Sequence, residues 1–221
     1  MMIHRILPPF LRRRALLPRR SLVPILRQAA PKGSVVQDSF TDTDGVTLPG
    51  HVPDLAPAGS SWSNTNLGVI NNQVHYLNSA TRQLSVIQTG ISDCSISVCC
   101  CHDANGSAST GSEYRSGIIA RYSATNSFWR IAFHPVAGFA IYEVNAGVAV
   151  GRAATVFTTE YGAFHTVQAE LVGESILGKI DGAYPVSYDL ASFNKTANIH
   201  GLMIGYSGSV PAADDFLVER F

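Results

Sequence analysis

The sequence predicts an all-β fold: a jelly-roll sandwich of two antiparallel sheets, preceded by an extended basic arm. Three observations predict it. Short apolar runs recur at intervals of roughly 8–12 residues, many with period-two alternation. Asp181-Gly182 sits between two such runs, and a type I′ hairpin turn needs positive φ at both central residues. The composition agrees: there are 19 glycines in 221 residues and only 14% charged side chains, against ~25% in an average soluble domain. No window longer than a turn carries helical periodicity.

Residues 1–33 form the arm and residues 34–221 the body. The arm holds Arg5, Arg12, Arg13, Arg14, Arg19, Arg20, Arg27 and Lys32, eight of the 16 basic residues, and no acid. The body therefore carries eight bases against all 16 acids. An arm of this sign seeks an acidic surface. Prolines at 8, 9, 18, 24 and 31 each remove an N–H donor and stop a long helix. No apolar run approaches the ~20 residues of a membrane-spanning helix. An Arg-rich, acid-free start resembles a targeting leader. Against that, Arg19 and Arg20 interrupt the apolar stretch, and no good small-residue cleavage site follows. The arm's apolar side chains cannot be buried on the arm itself. The expectation is an extended segment ordered by a partner, through Arg12, Arg13, Arg14, Arg19 and Arg20 and through Leu7, Phe10, Leu16, Leu17, Leu22, Ile25 and Leu26.

The body opens at Val35. Asp38 to Gly45 reads as a short strand and a turn. Asp42, Asp44 and Gly45 share the start of a calcium loop, but the further ligands are missing from the required spacing, so an Asx turn is expected. Residues 49–66, rich in Pro, Gly, Ser and Asn, read as a long loop, with Trp62 plugging the sandwich end. Strands follow at 67–70 and 73–77 around the turn Asn71-Asn72, and at 83–88. Cys94 to Cys101 alternates, with Cys94, Ile96, Val98 and Cys100 facing one way and Ser95 and Ser97 the other. Further strands are expected at 114–122, 127–134, 138–145, 166–172, 175–180, 183–188, 200–206 and 214–221. Residues 193–198 read as a loop with a helical turn.

Four cysteines are present, Cys94, Cys99, Cys100 and Cys101. Neighbours on a strand point to alternate faces and make poor disulfide partners. They read as reduced thiols packed as small hydrophobes. Cys99, Cys101 and His102 lack zinc-site spacing. No Gly-x-Ser-x-Gly or paired-histidine metal motif occurs. Asp214 and Asp215, adjacent on a strand, should point to opposite faces. The sequence shows no catalytic constellation, and an enzyme is not expected.

The phrases Asp38-Ser-Phe40, Gly117-Ile-Ile-Ala-Arg121, Phe128-Trp-Arg-Ile131, His165-Thr-Val167 through Gly173, Asp181-Gly182, Gly201-Leu202 and Asp214-Asp-Phe216 carry a resemblance. In order and spacing, residues 35–221 resemble the concanavalin A-like lectin/glucanase superfamily, especially its laminin G-like members. The resemblance implies two antiparallel sheets with first and last strands adjacent, placing Phe40 near Phe216. It also implies rim loops that bind glycans or proteins, sometimes with calcium; the residues themselves imply no cofactor or metal. The Glu-x-Asp-x-Glu motif of the superfamily's β-glucanases is missing here.

Two functions follow as expectations. The first is a non-enzymatic structural protein of a phage-like virion, a capsid decoration, cement or appendage protein assembled in the host cytoplasm. Its arm would anchor it to neighbouring subunits or to copies of itself. The alternative is a carbohydrate-binding, lectin-like module in which Trp62, Tyr114, Tyr122, Trp129 and Tyr142 stack on sugar faces. Nucleic acid is a weaker partner for the arm, because a phosphate binder needs no such apolar content. A membrane surface is weaker still, because the arm has no continuous amphipathic helix.

Overall fold

The computed structural model describes residues 33–77, 83–102, 115–124, 126–205 and 213–221. Its strands are β1 (Ser34–Asp38), β2 (Leu67–Ile70), β3 (Gln73–Tyr76), β4 (Gln83–Gln88), β5 (Cys94–Cys101), β6 (Ser116–Ala124) and β7 (Ser127–His134). They continue with β8 (Gly138–Asn145), β9 (Val148–Thr155), β10 (Phe164–Val172), β11 (Ser175–Ile180), β12 (Ala183–Tyr188), β13 (Ile199–Ile204) and β14 (Ala213–Glu219). One sheet runs β12-β11-β10-β5-β14-β3-β2, with β1 also paired to β14; the other runs β4-β13-β6-β7-β8-β9. The fold is an antiparallel two-sheet sandwich, as the alternation predicts.

The core lies between the sheets. Cys94, Ile96, Val98 and Cys100 of β5 face Val167, Ala169 and Leu171 of β10 along the same inner surface, all buried. Ser95 and Ser97 turn outward and are half-buried. Two motif glycines are fixed by close approach. A Cβ at Gly201 would sit 2.0 Å from the Ser85 carbonyl oxygen, and one at Gly117 would sit 2.3 Å from that of Ile131. The six-stranded sheet buries apolar side chains on both faces. Trp129, Ile131 and Phe133 of β7 point into the core, while Phe128 and Ala132 join Ile119, Val144 and Met203 in a second cluster on the other side.

The turn at Asn71-Asn72 has φ of 53° and 59°, and that at Asp181-Gly182 has 52° and 70°, the signature of a type I′ hairpin. No strand is expected from the sequence at β9. Its residues are mostly exposed, with only small alanines, Ala149 and Ala153, packed against the apolar clusters, so Val-Ala-Val-Gly-Arg-Ala-Ala-Thr shows no alternation to read. Its hairpin also uses Ala146-Gly147, with φ of 49° and 82°, in place of the usual Asn-Gly. Residues 193–196 form turns and no helix.

The first and last strands are adjacent, with Asp38 opposite Phe216. Trp62 lies between the two predicted neighbours, its ring 5.7 Å from Phe40 and 5.0 Å from Phe216. Asp38 holds this end together. Its Oδ1 accepts the Phe40 N–H at 2.8 Å and faces His51 Nε2 at 2.8 Å. Its Oδ2 accepts the Trp62 Nε1–H at 2.6 Å. The other nitrogen of His51 lies 3.0 Å from Asp42 Oδ2. A neutral imidazole has one N–H, so a ring flanked by two carboxylates is best satisfied as the imidazolium. Burial opposes that charge, but the hydrogen bonds and charges of Asp38 and Asp42 outweigh it, and the His51 pKa is raised. The His51 hydrogen bond in turn holds the Asp42 carboxyl below its ordinary range.

The stability from His51 is complete below its unfolded pKa of ~6.5 and is lost as pH rises through its higher folded value. Asp42 contributes above ~pH 4 and loses its share as pH falls through its lowered value. Urea unfolding should show an alkaline loss of stability in the native chain that His51→Gln abolishes. Asp38→Asn, which breaks a buried ionic pair, should cost about 3 kcal/mol or more at pH 6.

Candidate functional site

The aromatic residues singled out from the sequence are mostly occupied. Trp62 is 1% exposed and its N–H is bound to Asp38. Trp129 is fully buried; its N–H donates to the Phe193 carbonyl at 2.7 Å, and its ring packs on Tyr188 and Phe193. Neither offers a face to a sugar, which corrects the expectation: each is a large apolar ring with an internal acceptor for its one polar atom. Tyr122 is half-buried and stacks on Phe128. Tyr142 is half-buried with the Arg130 and Arg115 guanidiniums 4.5 Å and 5.2 Å from its ring centre, so that face is taken by cation–π contacts. Tyr114 and the twelve arm anchors from Leu7 to Leu26 lie outside the described residues.

The acidic turn is structural. Asp42 accepts the Thr43 N–H at 2.7 Å, and Asp44 accepts the Asn71 N–H at 2.7 Å. Among the described residues no group of three or more His, Cys, Asp or Glu is arranged to hold a metal. The four cysteines are free thiols. Cys94 Sγ lies 3.6 Å from His200 Nε2, but this is no nucleophile–base pair. Burial pushes the thiol up to about 12 and the imidazole down to about 4. Both ring nitrogens also serve the backbone, through the Arg121 N–H and the Ile91 carbonyl.

A cleft of about 310 Å³ opens on the outer face of the eight-stranded sheet, with Gln37, Ser39, Ser97, Cys99, Thr166 and Asp215 in its lining. A β-bulge makes it. In β14, Asp214 stands opposite Cys99 and Leu217 opposite Ser97, with a register shift between them, and Asp215 has φ of 49°. The extra residue breaks the alternation of a regular strand. Asp214 shares the face of its ladder partner Cys99, and Asp215 lines the same cleft, so the two acids do not point to opposite faces as the sequence suggests. Burial, followed by Asp214, Asp215 and Asp181, pushes the Cys99 thiol up to about 11. Burial, with the charge of Asp215 next, pushes the Asp214 carboxyl up to about 6. Phe164 stands two residues before Thr166 on the same face of β10, 38% exposed.

Around the corner, at the end of the sandwich, the fold assembles three residues that no spacing links. His165 Nδ1 is 2.6 Å from Asp181 Oδ2, and its Nε2 is 2.7 Å from Thr159 Oγ1. The other oxygen of Asp181 accepts the Thr166 N–H at 2.9 Å. Phe133 and Phe157 stand edge-on to the imidazole. The sequence reads Asp181 only as a turn residue; its second role appears when the hairpin folds back to the start of β10.

No family of known sequences matches this chain, and no curated protein is similar to it in sequence. Solved structures do match in fold. The carbohydrate-binding module CBM66 from Bacillus subtilis is similar with a TM-score of 0.50 and 13% identity, over 85% of this chain and 97% of that one. The Trypanosoma rangeli sialidase is similar with a TM-score of 0.57 and 10% identity, over 86% of this chain but only 31% of the sialidase. These likenesses bear on architecture: an antiparallel sandwich of two sheets.

Because the folded pKa of Asp214 exceeds its unfolded value, its ionisation costs stability. The cost is absent below ~pH 4 and grows as pH rises through about 6. Asp214→Asn should therefore raise the thermal midpoint at pH 8 and leave it unchanged near pH 3.5.

Proposed function

We propose that the body is a carbohydrate-binding module, and that the outer cleft is where an uncharged glycan binds. The cleft carries this reading. Its lining offers hydroxyls from Ser39, Ser97 and Thr166, an amide from Gln37 and a carboxylate from Asp215, groups that exchange hydrogen bonds with sugar hydroxyls. Phe164 supplies an exposed apolar ring beside them, suited to the C–H face of a pyranose. The resemblance to a carbohydrate-binding module along that module's whole length supports the same reading. Most glycoside hydrolases set two carboxyl groups on either side of the bond they cleave. Asp214 and Asp215 are neighbours on one strand, an arrangement for binding.

The arm adds a proposed anchor. Its eight bases, seven of them arginines, and its lack of acid suit docking on an acidic neighbour, so the module would be displayed on a larger assembly such as a virion. Deleting residues 1–33 should leave glycan binding intact and abolish attachment; a truncated chain that still attaches at full occupancy sinks this part.

A screen of soluble neutral and acidic glycans, followed by calorimetry, tests the module. Asp215→Ala and Thr166→Ala should each weaken binding about tenfold, equivalent to ~1.4 kcal/mol. Phe164→Ala should weaken it similarly, and Tyr142→Ala should not. Binding that survives the first three changes places the ligand elsewhere; no binding to any glycan ends the reading.

A further inference from the structure

We propose that Thr159, His165 and Asp181 form an acyl-transfer site for small carboxylic esters, separate from the cleft and independent of the glycan reading. The three side chains make a hydroxyl–imidazole–carboxylate relay at 2.7 Å and 2.6 Å, an arrangement recognised by geometry and roles wherever it occurs in a fold. A carboxylate only accepts, so in the neutral imidazole Nδ1 carries the proton. Nε2 is then left to accept from the Thr159 hydroxyl. Asp181 is itself held, because its second oxygen takes the Thr166 N–H and its own N–H donates to the Thr166 carbonyl at 2.8 Å. The imidazole is thus fixed in tautomer and orientation while remaining reachable, its side chain 14% exposed.

The relay also has a substrate side. An apolar recess of about 360 Å³ adjoins it, lined by Val136, Ala154, Val156, Phe157 and Thr158 among others. Phe157 belongs to both, its ring centre 5.1 Å from that of His165. Tyr184, 49% exposed, packs edge-on against Phe157. Its φ of 49° is a conformation a bulky residue rarely adopts. The recess reaches Thr158, the residue before Thr159, and would take a short acyl chain.

Thr159 Oγ1 bonds to the ester carbonyl carbon while its proton passes to His165 Nε2. The adduct collapses, the bond to the alkoxy oxygen breaks, and the alcohol leaves with that proton. A water then gives its proton to the same nitrogen and attacks the acyl-threonine. The acid departs and the threonine hydroxyl recovers its proton. Asp181 is a positioning residue, holding Nδ1–H and stabilising the imidazolium as it forms.

The test treats the full chain with a fluorophosphonate probe, locates the label by mass spectrometry, and follows hydrolysis of p-nitrophenyl acetate. The expected result is a label on Thr159 and hydrolysis at least tenfold faster than by Thr159→Ala, with Thr159→Ser retaining both. Proton NMR should show a downfield Nδ1–H resonance of His165 that Asp181→Asn removes and Thr159→Ala keeps. A native chain with no label on Thr159 overturns the proposal, as does hydrolysis equal to that of Thr159→Ala. Labelling of the native chain needs no variant, so a poorly folded substitution does not protect the idea.

Discussion

A carboxylate sealed from water must find its hydrogen bonds inside the protein, and Asp38 finds three. Each comes from a different part of the chain: the backbone just beyond β1, the imidazole of His51, and the indole of Trp62 in the long loop. Two segments with little regular structure are thereby fixed against the strand that closes the eight-stranded sheet. The Phe40–Trp62–Phe216 stack fills the space they enclose. β1 is a short strand paired to β14 alone, and this cluster fixes the wall of the outer cleft that contains Gln37 and Ser39.

Much of the fold was legible because most strands are half-buried. Where one face meets the core and the other meets solvent, as in β5 and β10, the side chains alternate and the sequence says so. Legibility failed where that condition failed. β9 is mostly exposed and packs only small alanines inward, so it has little to encode. A bulge, such as that at Asp215, changes the face of a residue without changing composition. The tryptophans were ambiguous for another reason: an indole suits a sugar and a core equally well, and only the nearby acceptor decides between them, leaving Trp62 as the plug the sequence also suggests.

The candidate sites were less legible still. Gln37, Ser39, Ser97, Thr166 and Asp215 come from four strands and their edges, and none is unusual in its own segment. Thr159, His165 and Asp181 meet because β10 leaves the end loop just where the β11–β12 hairpin turns back. Such encounters are properties of sheet order. A reading that finds strands without their neighbours cannot see them. The acids at 214 and 215 show the same limit, since the rule that separates adjacent side chains holds only for a regular strand.

The bulge in β14 also sets how the cleft could be gained or lost. Its floor depends on the presence of one surplus residue more than on which residue that is. Removing Asp215 from the chain would let Asp214 and Phe216 fall into a regular ladder with β5 and take away the register shift beside the recess. In heredity, the surplus residue behind the cleft is a single codon, the unit that one three-nucleotide deletion removes and one insertion restores.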